Sequence, residues 1–251
     1  MNNNNSITLD YIGRVESPFK EKFAIPRQPG LVNAANGKVI LTGDANNADL
    51  VKELEQFSHI WLLFVFHGTQ VQGWKPLVRP PRLGGNKKMG VLATRSTFRP
   101  NPIGMSVVEL KSVEISNQQV ILHISGIDLL DQTPIVDIKP YIPYSDAPPD
   151  ATAGFAQTQP DINLSVMFSQ TAQSSLTHYE LEYAGLAQLI EQVLAQDPRP
   201  AYKRGKVDDK VYGMSLYDLN IEWQMQSLTN LLVTNIKRSS NKKNATKEHK
   251  Q

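Results

Sequence analysis

The stretch MSVVELKSVEISNQQVILHIS, residues 105–125, decides the fold. Two apolar runs rich in β-branched residues, 105–115 and 119–125, flank Asn117. Asparagine tolerates the positive φ that a tight hairpin turn demands, so the stretch reads as two antiparallel strands. Further strands surround it. HIWLLFVFH (59–67) is a continuous apolar and aromatic run, as expected of a strand buried on both faces. MGVLAT (89–94) is short, and SITLDYIG alternates Ile7, Leu9 and Tyr11. PIVDIKPYIP (134–143) is interrupted by Pro140, which marks a sheet edge or a strand end. One short helix is expected over Asn47–Gln56. Many short strands joined by Gly/Pro-rich segments predict a mainly β fold, a barrel or a sandwich.

A different pattern follows SDAPPDATAGFAQTQP (145–160), which has the composition of a linker. LSVMFS (164–169) reads as a strand. From Thr177 to Leu194 apolar residues recur at three and four, the spacing of an amphipathic helix, with Thr177 and Glu180 as its capping box. That helix should stop before Asp197-Pro198. VYGMSLYDLNIEW and NLLVTNIK read as strands, which makes the second unit a small α+β domain. The expected organisation is a barrel domain over 7–145, an α+β domain over 160–236 and a disordered basic tail over 237–251.

Composition excludes several functions. The chain of 251 residues has no cysteine, hence no disulfide and no thiolate chemistry. It has no apolar run of membrane-spanning length and no secretory leader, which points to the cytoplasm. The net charge of +2 is unevenly spread. Residues 56–108 hold seven Lys/Arg and no acid, whereas 109–150 hold seven acids against two lysines. Either these segments pair, or they form a cationic surface for a polyanion beside an acidic pocket. The tail carries six Lys/Arg and one Glu, enough for a weak grip on phosphates or merely for solvation.

No dinucleotide fingerprint, P-loop, zinc-protease motif or nucleophile elbow occurs, and the five histidines are scattered, so no metal site is expected. Four stretches carry chemistry. TRSTFRPNPIG (94–104) holds Arg95 and Arg99 on a loop stiffened by Pro100 and Pro102, without an acid. EKFAIPRQPG (21–30) sets Arg27 between Pro26 and Pro29. GWKPLVRPPRLGGNKKMG (73–90) is a basic loop with Arg79, Arg82, Lys87, Lys88 and Trp74. GIDLLDQTPIVDIKPY (126–141) is punctuated by Asp128, Asp131 and Asp137. His67 closes the apolar strand, where a lone histidine is more often a satisfied structural residue than a ligand. Rigid arginines opposite carboxylates match a ligand with an anionic end and a ribose or ammonium. S-adenosylmethionine has that polarity, and nucleotides have it nearly as well. An RNA-binding module without chemistry and a metal-dependent nucleotide hydrolase built on Asp128 and Asp131 are the alternatives.

PRQPG, FSHIWLLFVFH, RPPRLGG, ATRSTFRPNPIGMS and DLLDQTPIVDIKPY together closely resemble the TsaA-like family, and the resemblance extends through VLAQDPRPAY (193–202). It implies an N-terminal β-barrel domain that binds S-adenosylmethionine, a homodimer, and methylation of the exocyclic amine of a threonylcarbamoylated adenosine beside the tRNA anticodon. Carried over by this resemblance, the cofactor positions are Pro26, Arg27, Gln28, His67, Gly68, Arg95 and Asp128, Leu129, Leu130 and Asp131. Gly68 departs from the family pattern, where a glutamine is expected.

The adenine amine is a poor nucleophile, because its lone pair is delocalised into the ring. An acceptor for one N–H would help it. DPRPAY (197–202) has an acid, two prolines and a terminal tyrosine, so Asp197 and Tyr202 are the candidates for that role; a simple helix stop is the competing reading. Arg79, Arg82, Lys87, Lys88, Arg99 and Arg199 are expected on the tRNA side.

Overall fold

The computed structural model describes residues 6–160 and 164–239. In chain order its first half contains β1 (Gly13–Glu16), β2 (Asn36–Leu41), β3 (His59–Val65), the short β4 (Leu77–Val78) and β5 (Met89–Gly90), then β6 (Ile103–Ser116), β7 (Gln119–Ser125) and β8 (Pro134–Pro140). Six of them close into a barrel in the order β1-β2-β7-β6-β3-β8, with every pairing antiparallel. The β6–β7 turn is the one expected at Asn117, and both Asn117 and Gln118 take positive φ, 49° and 61°. Val39, Ile60, Leu62, Val108, Leu122, Ile124 and Ile135 fill the interior. Pro140 ends β8 opposite Ile60.

Closure explains one departure from the sequence expectation. β1 begins at Gly13, and Ile7, Leu9 and Tyr11 are 82%, 45% and 54% exposed. With β1 paired to β2 on one side and β8 on the other, the barrel has no edge left for the N-terminal alternation to join. The helix expected over Asn47–Gln56 is instead two 3₁₀ turns, Ala48–Val51 and Leu54–Gln56, because Glu53 between them lies at φ 65°. MGVLAT supplies only β5 and a 3₁₀ turn, Val91–Ala93. Both β4 and β5 belong to a long excursion between β3 and β6.

The second half contains α1 (Pro143–Asp146), β9 (Ser165–Phe168), α2 (Gln170–Tyr179), α3 (Leu186–Ala195), β10 (Tyr212–Leu216), β11 (Leu219–Met225) and β12 (Asn230–Arg238). Its sheet runs β10-β11-β12-β9, with β9 parallel to β12. Leu189, Ile190, Val193 and Leu194 are buried, as are Trp223, Leu231 and Val233. The single helix expected from Thr177 to Leu194 is two. Ser169 caps α2 by accepting from Ala172 N at 3.1 Å, and Thr177 Oγ1 donates back to Gln173 O inside it. Glu180 is a cap, but of the following helix: its carboxylate accepts from Gly185 N and Ala187 N at 2.8 and 3.1 Å. Gly185 itself, at φ 80°, makes the break. The chain leaves α3 at Ala195, before Asp197-Pro198.

Lys237 and Arg238, expected in a tail, belong to β12 and pair with Glu222 and with Glu182 and Asp218. Residues 240–251 of that tail lie outside the described residues. The second unit is seated on the loop after β1. Phe19 bridges to Leu216, Tyr217 N donates to Pro18 O at 2.7 Å, Ser215 N to Glu21 at 2.8 Å, and Ala34 N to Gln192 at 3.0 Å.

Candidate active site

One rim of the barrel gathers most of the singled-out residues. At this rim β1, β3 and β7 end, and β2, β6 and β8 begin. The PRQPG loop and the GIDLLD loop are tied together by Gly30 N donating to Gly126 O at 2.9 Å. Gly126 takes φ 72°, and a Cβ on it would stand 3.5 Å from Gly30. That distance is an ordinary contact, so the positive φ is the physical reason for glycine there. In the turn after β3 Gly68 faces Leu130: a Cβ at 68 would meet only Leu130 Cδ2, at 3.6 Å. His67, half-buried, precedes it, and its amide donates to Val65 O at 2.7 Å. Phe66 N donates to Pro102 O at 2.8 Å, which brings the arginine loop to the same rim.

That loop is shaped by its own hydroxyls. Thr94 Oγ1 donates to Val91 O at 2.8 Å and accepts from Ser96 N at 3.2 Å; Ser96 Oγ accepts from Phe98 N at 3.3 Å. Arg99 Nη1 points back to Thr94 O at 3.3 Å. Arg95 Nη1 donates to Gln28 Oε1 at 2.9 Å, and Gln28 Nε2 to Arg27 O at 2.6 Å, so the two rigid loops meet through one amide. Arg95 makes no ion pair among the described residues.

Asp128 faces this group. It is half-buried, and its carboxylate accepts a hydrogen bond from the buried Ser106 hydroxyl. Burial pushes its pKa up to about 6, against the opposing pull of the Ser106 hydrogen bond, its own backbone N–H and the Arg95 charge. Sequence reasoning missed Ser106. The signal was available: on β6 the inward positions run Gly104, Ser106, Val108, Leu110, so a lone hydroxyl interrupts an apolar face near its open end.

Other expected residues stand apart. Asp131 is consumed by structure: Ser17 N donates to it at 3.0 Å and Lys20 pairs with it at 2.7 Å. It therefore staples the β1 end and does not share a ligand with Asp128, which removes the paired-carboxylate hydrolase arrangement. Leu129 is buried and its carbonyl accepts Ser17 Oγ at 2.8 Å, while Leu130 O accepts Thr133 Oγ1 at 2.6 Å. Among the described residues no group of three His, Cys, Asp or Glu side chains could hold a metal ion.

Asp197 and Arg199 also correct the expectation. Arg199, expected on a tRNA surface, has a side chain only 1% exposed. It grips Asp197 bidentately, Nε to Oδ1 at 2.7 Å and Nη2 to Oδ2 at 2.8 Å, and its Nη1 donates to Lys206 O at 2.8 Å. The buried charge needs that partner, so the Asp197 carboxylate is committed to Arg199 rather than to an incoming amine. Tyr202 is 72% exposed. Arg79, Arg82, Lys87 and Lys88 are exposed on the β3–β6 excursion, with Arg82 hydrogen-bonded to Thr158. Among the described residues no helix is long and apolar enough to cross a membrane.

The chain matches the tRNA-methyltransferase O N-terminal domain over residues 14–147 and the TrmO C-terminal domain over 161–239. It is 53% identical over 220 residues to the tRNA (adenine(37)-N6)-methyltransferase of Escherichia coli K12, covering 88% of this chain and 94% of that one. A Pseudomonas aeruginosa protein, 48% identical over 84% of this chain and 90% of its own length, is provisionally named an S-adenosylmethionine-dependent methyltransferase, RcsF. The crystal structure of TrmO from Pseudomonas aeruginosa superposes with a TM-score of 0.78 at 39% identity, over 92% of this chain and 98% of that one. With both domains matched and the same two-unit architecture, the chain belongs to the tRNA-methyltransferase O family.

Proposed function

We propose that this protein is an S-adenosylmethionine-dependent tRNA methyltransferase, acting on the N6 amine of adenosine 37, the position in the name of its Escherichia coli relative. The base it takes already bears a threonylcarbamoyl group. The observation that carries this reading is the meeting of Gln28, Arg95, Gly68, Ser106 and Asp128 at one barrel rim, on a chain of this family.

The donor set fits the cofactor. A guanidinium without a carboxylate partner among the described residues stands beside a half-buried carboxyl, and the small residues Gly30, Gly68 and Gly126 leave room between the loops. In this reading Arg95, steadied by Gln28, meets the carboxylate end, and Asp128 meets the ribose or ammonium. Pro26, Arg27, His67, Gly68 and the Leu129–Leu130 backbone shape the walls. When bound, S-adenosylmethionine supplies a methyl group activated by its sulfonium. The chain's own task is then to hold the adenine amine in line with that methyl. Such positioning contributes about 7–11 kcal/mol in well-oriented systems. A strong base is not needed, because the proton leaves readily once the nitrogen is methylated. With Asp197 committed to Arg199, the exposed hydroxyl of Tyr202 is the acceptor we assign to the amine N–H. Arg79, Lys87, Lys88 and Arg99 meet tRNA phosphates, and Arg82 anchors that excursion to Thr158.

The protein works in the cytoplasm as a homodimer. The excursion supports the dimer: Val71, Trp74, Leu77 and Leu92 are 97%, 58%, 53% and 76% exposed, an apolar set suited to a partner surface. Mass spectrometry of tRNA nucleosides after incubation with protein and S-adenosylmethionine tests the reading; N6-methylated threonylcarbamoyladenosine is expected, and its absence with heat-free titration of the cofactor would leave only an RNA-binding module.

A further inference from the structure

At the seam between barrel and second unit three arginines gather around Asp197. Arg199 occupies both oxygens of Asp197. Among the described residues Arg204 reaches only the Asp197 main-chain carbonyl, Nη2 to O at 2.9 Å, and its Nε is buried without a hydrogen-bond partner. Arg27, on the PRQPG loop of the barrel, lies within the field of both Arg204 and Asp197. A second acid nearby, Asp208, is already taken by Lys203 at 2.8 Å and by the Tyr212 hydroxyl. The seam therefore keeps an excess of positive charge and one orphaned donor. A buried donor left unpaired costs roughly 1–3 kcal/mol, so an anionic acceptor that reached this Nε would be favoured.

We propose that Arg204 and Arg27 form an oxyanion subsite for the tRNA substrate, separate from the Gln28–Arg95 end of the cofactor site. The proposal rests on the tRNA methyltransferase reading above. The shape fits that role: both cations sit on proline-bounded segments, Pro26 and Pro29 around Arg27, Pro198 and Pro200 ahead of Arg204. Tyr202, the exposed tyrosine assigned above to the adenine amine, precedes Arg204 by two residues, so the subsite adjoins the target base. The oxyanion has two sources in such a substrate, the carboxylate of the base modification and a backbone phosphate near it.

The test is Arg204→Gln, with Arg204→Lys as the charge-conserving control, in filter binding of modified and unmodified tRNA and in calorimetric titration of S-adenosylmethionine. The expected result is a loss of about tenfold or more in tRNA affinity for the glutamine variant, partly restored by lysine, with cofactor affinity unchanged. A loss confined to modified tRNA assigns the base carboxylate; an equal loss on both tRNAs assigns a phosphate. Unchanged tRNA binding, or a loss on the cofactor alone, overturns the proposal. If Arg204→Gln does not fold, Arg204→Lys alone carries the tRNA-binding arms: a several-fold loss in tRNA affinity with cofactor affinity unchanged is expected, and wild-type tRNA affinity overturns the proposal. A wild-type protein that bound neither tRNA would overturn the underlying reading as well.

Discussion

Replacing Asp128 by asparagine separates what this carboxyl costs the fold from what it does for the ligand. Its pKa is near 3.8 when unperturbed and about 6 in the folded chain. Between those values the unfolded chain has lost its proton while the folded chain retains it. Stability therefore falls as pH rises through this window and stays lowered above it. At 1.36 kcal/mol per pK unit the full penalty is about 3 kcal/mol. The side chain keeps some solvent contact, so about 1–3 kcal/mol is the working figure. Asparagine has the same shape, can still accept from Ser106, and does not titrate. Asp128→Asn should thus unfold later than wild type at pH 8, by roughly 2–10 °C for a chain of this size. The gap should close below about pH 4, where the carboxyl is protonated in the unfolded chain as well as in the folded one. Urea unfolding from pH 4 to 8, with the m-value checked for constancy, measures it. A gap of equal size at both ends, or a less stable variant at pH 8, would refute the reasoning, because the hydrogen bonds to the carboxylate would then outweigh its burial. The same variant should bind S-adenosylmethionine at least about tenfold more weakly, since a charge-assisted contact becomes a neutral one.

Other expectations follow from single contacts. Arg95→Ala should keep the fold and weaken cofactor binding tenfold or more by calorimetry, because the guanidinium is exposed and its only side-chain partner among the described residues is Gln28. Gly68→Gln should fold normally, as its Cβ meets only Leu130 at 3.6 Å, and should tighten the cofactor by about twofold to tenfold if the restored amide reaches it. Asp197→Ala should cost about 3–5 kcal/mol in chemical denaturation, because Arg199 would be left buried without its counter-charge. A merely slower enzyme of wild-type stability would show that Asp197 acts on the substrate after all.

The fold was largely legible because its signals are local. The Asn117 turn, the apolar β3 and the proline that ends β8 each follow from a few neighbouring residues. What was not legible depends on closure and on pairs distant in sequence. Nothing in SITLDYIG says that β1 already has a neighbour on each side. Glu180 looks like half of a capping box from Thr177, yet it caps the next helix, since Gly185 breaks the periodic pattern. The candidate site divides in the same way. Arg95, Gln28 and Gly68 were readable from rigid loops and the family resemblance. That Asp131 serves Lys20 while Asp128 serves the rim is a tertiary fact, invisible in two aspartates spaced three apart. Arg199 misled because arginine beside proline suggests a surface loop, whereas its partner lies two residues back and seals it inside.

The barrel also explains why the site is built from arginines on proline-bounded loops. In a doubly wound α/β sheet, an anionic ligand end rests on a helix N-terminus, where aligned peptide dipoles and free N–H groups do the work without side chains. Antiparallel strands have little net dipole, and among the described residues the barrel segment from β1 to β8 contains no α-helix whose N-terminus could serve the rim that gathers Gln28, Arg95 and Asp128. Positive charge must then come from guanidinium groups, which are long and lose rotamer freedom on binding. Pro26 and Pro29 bracket Arg27, and Pro100 and Pro102 follow Arg99, so the backbone beneath each cation is restricted before any ligand arrives. The hydroxyl turns of Thr94 and Ser96 do the same for Arg95. Preorganisation that a helix would supply through its dipole is supplied here through φ restriction and side-chain turns. It follows that loosening those loops, for example by Pro29→Gly, should weaken ligand binding while leaving every charged group in place.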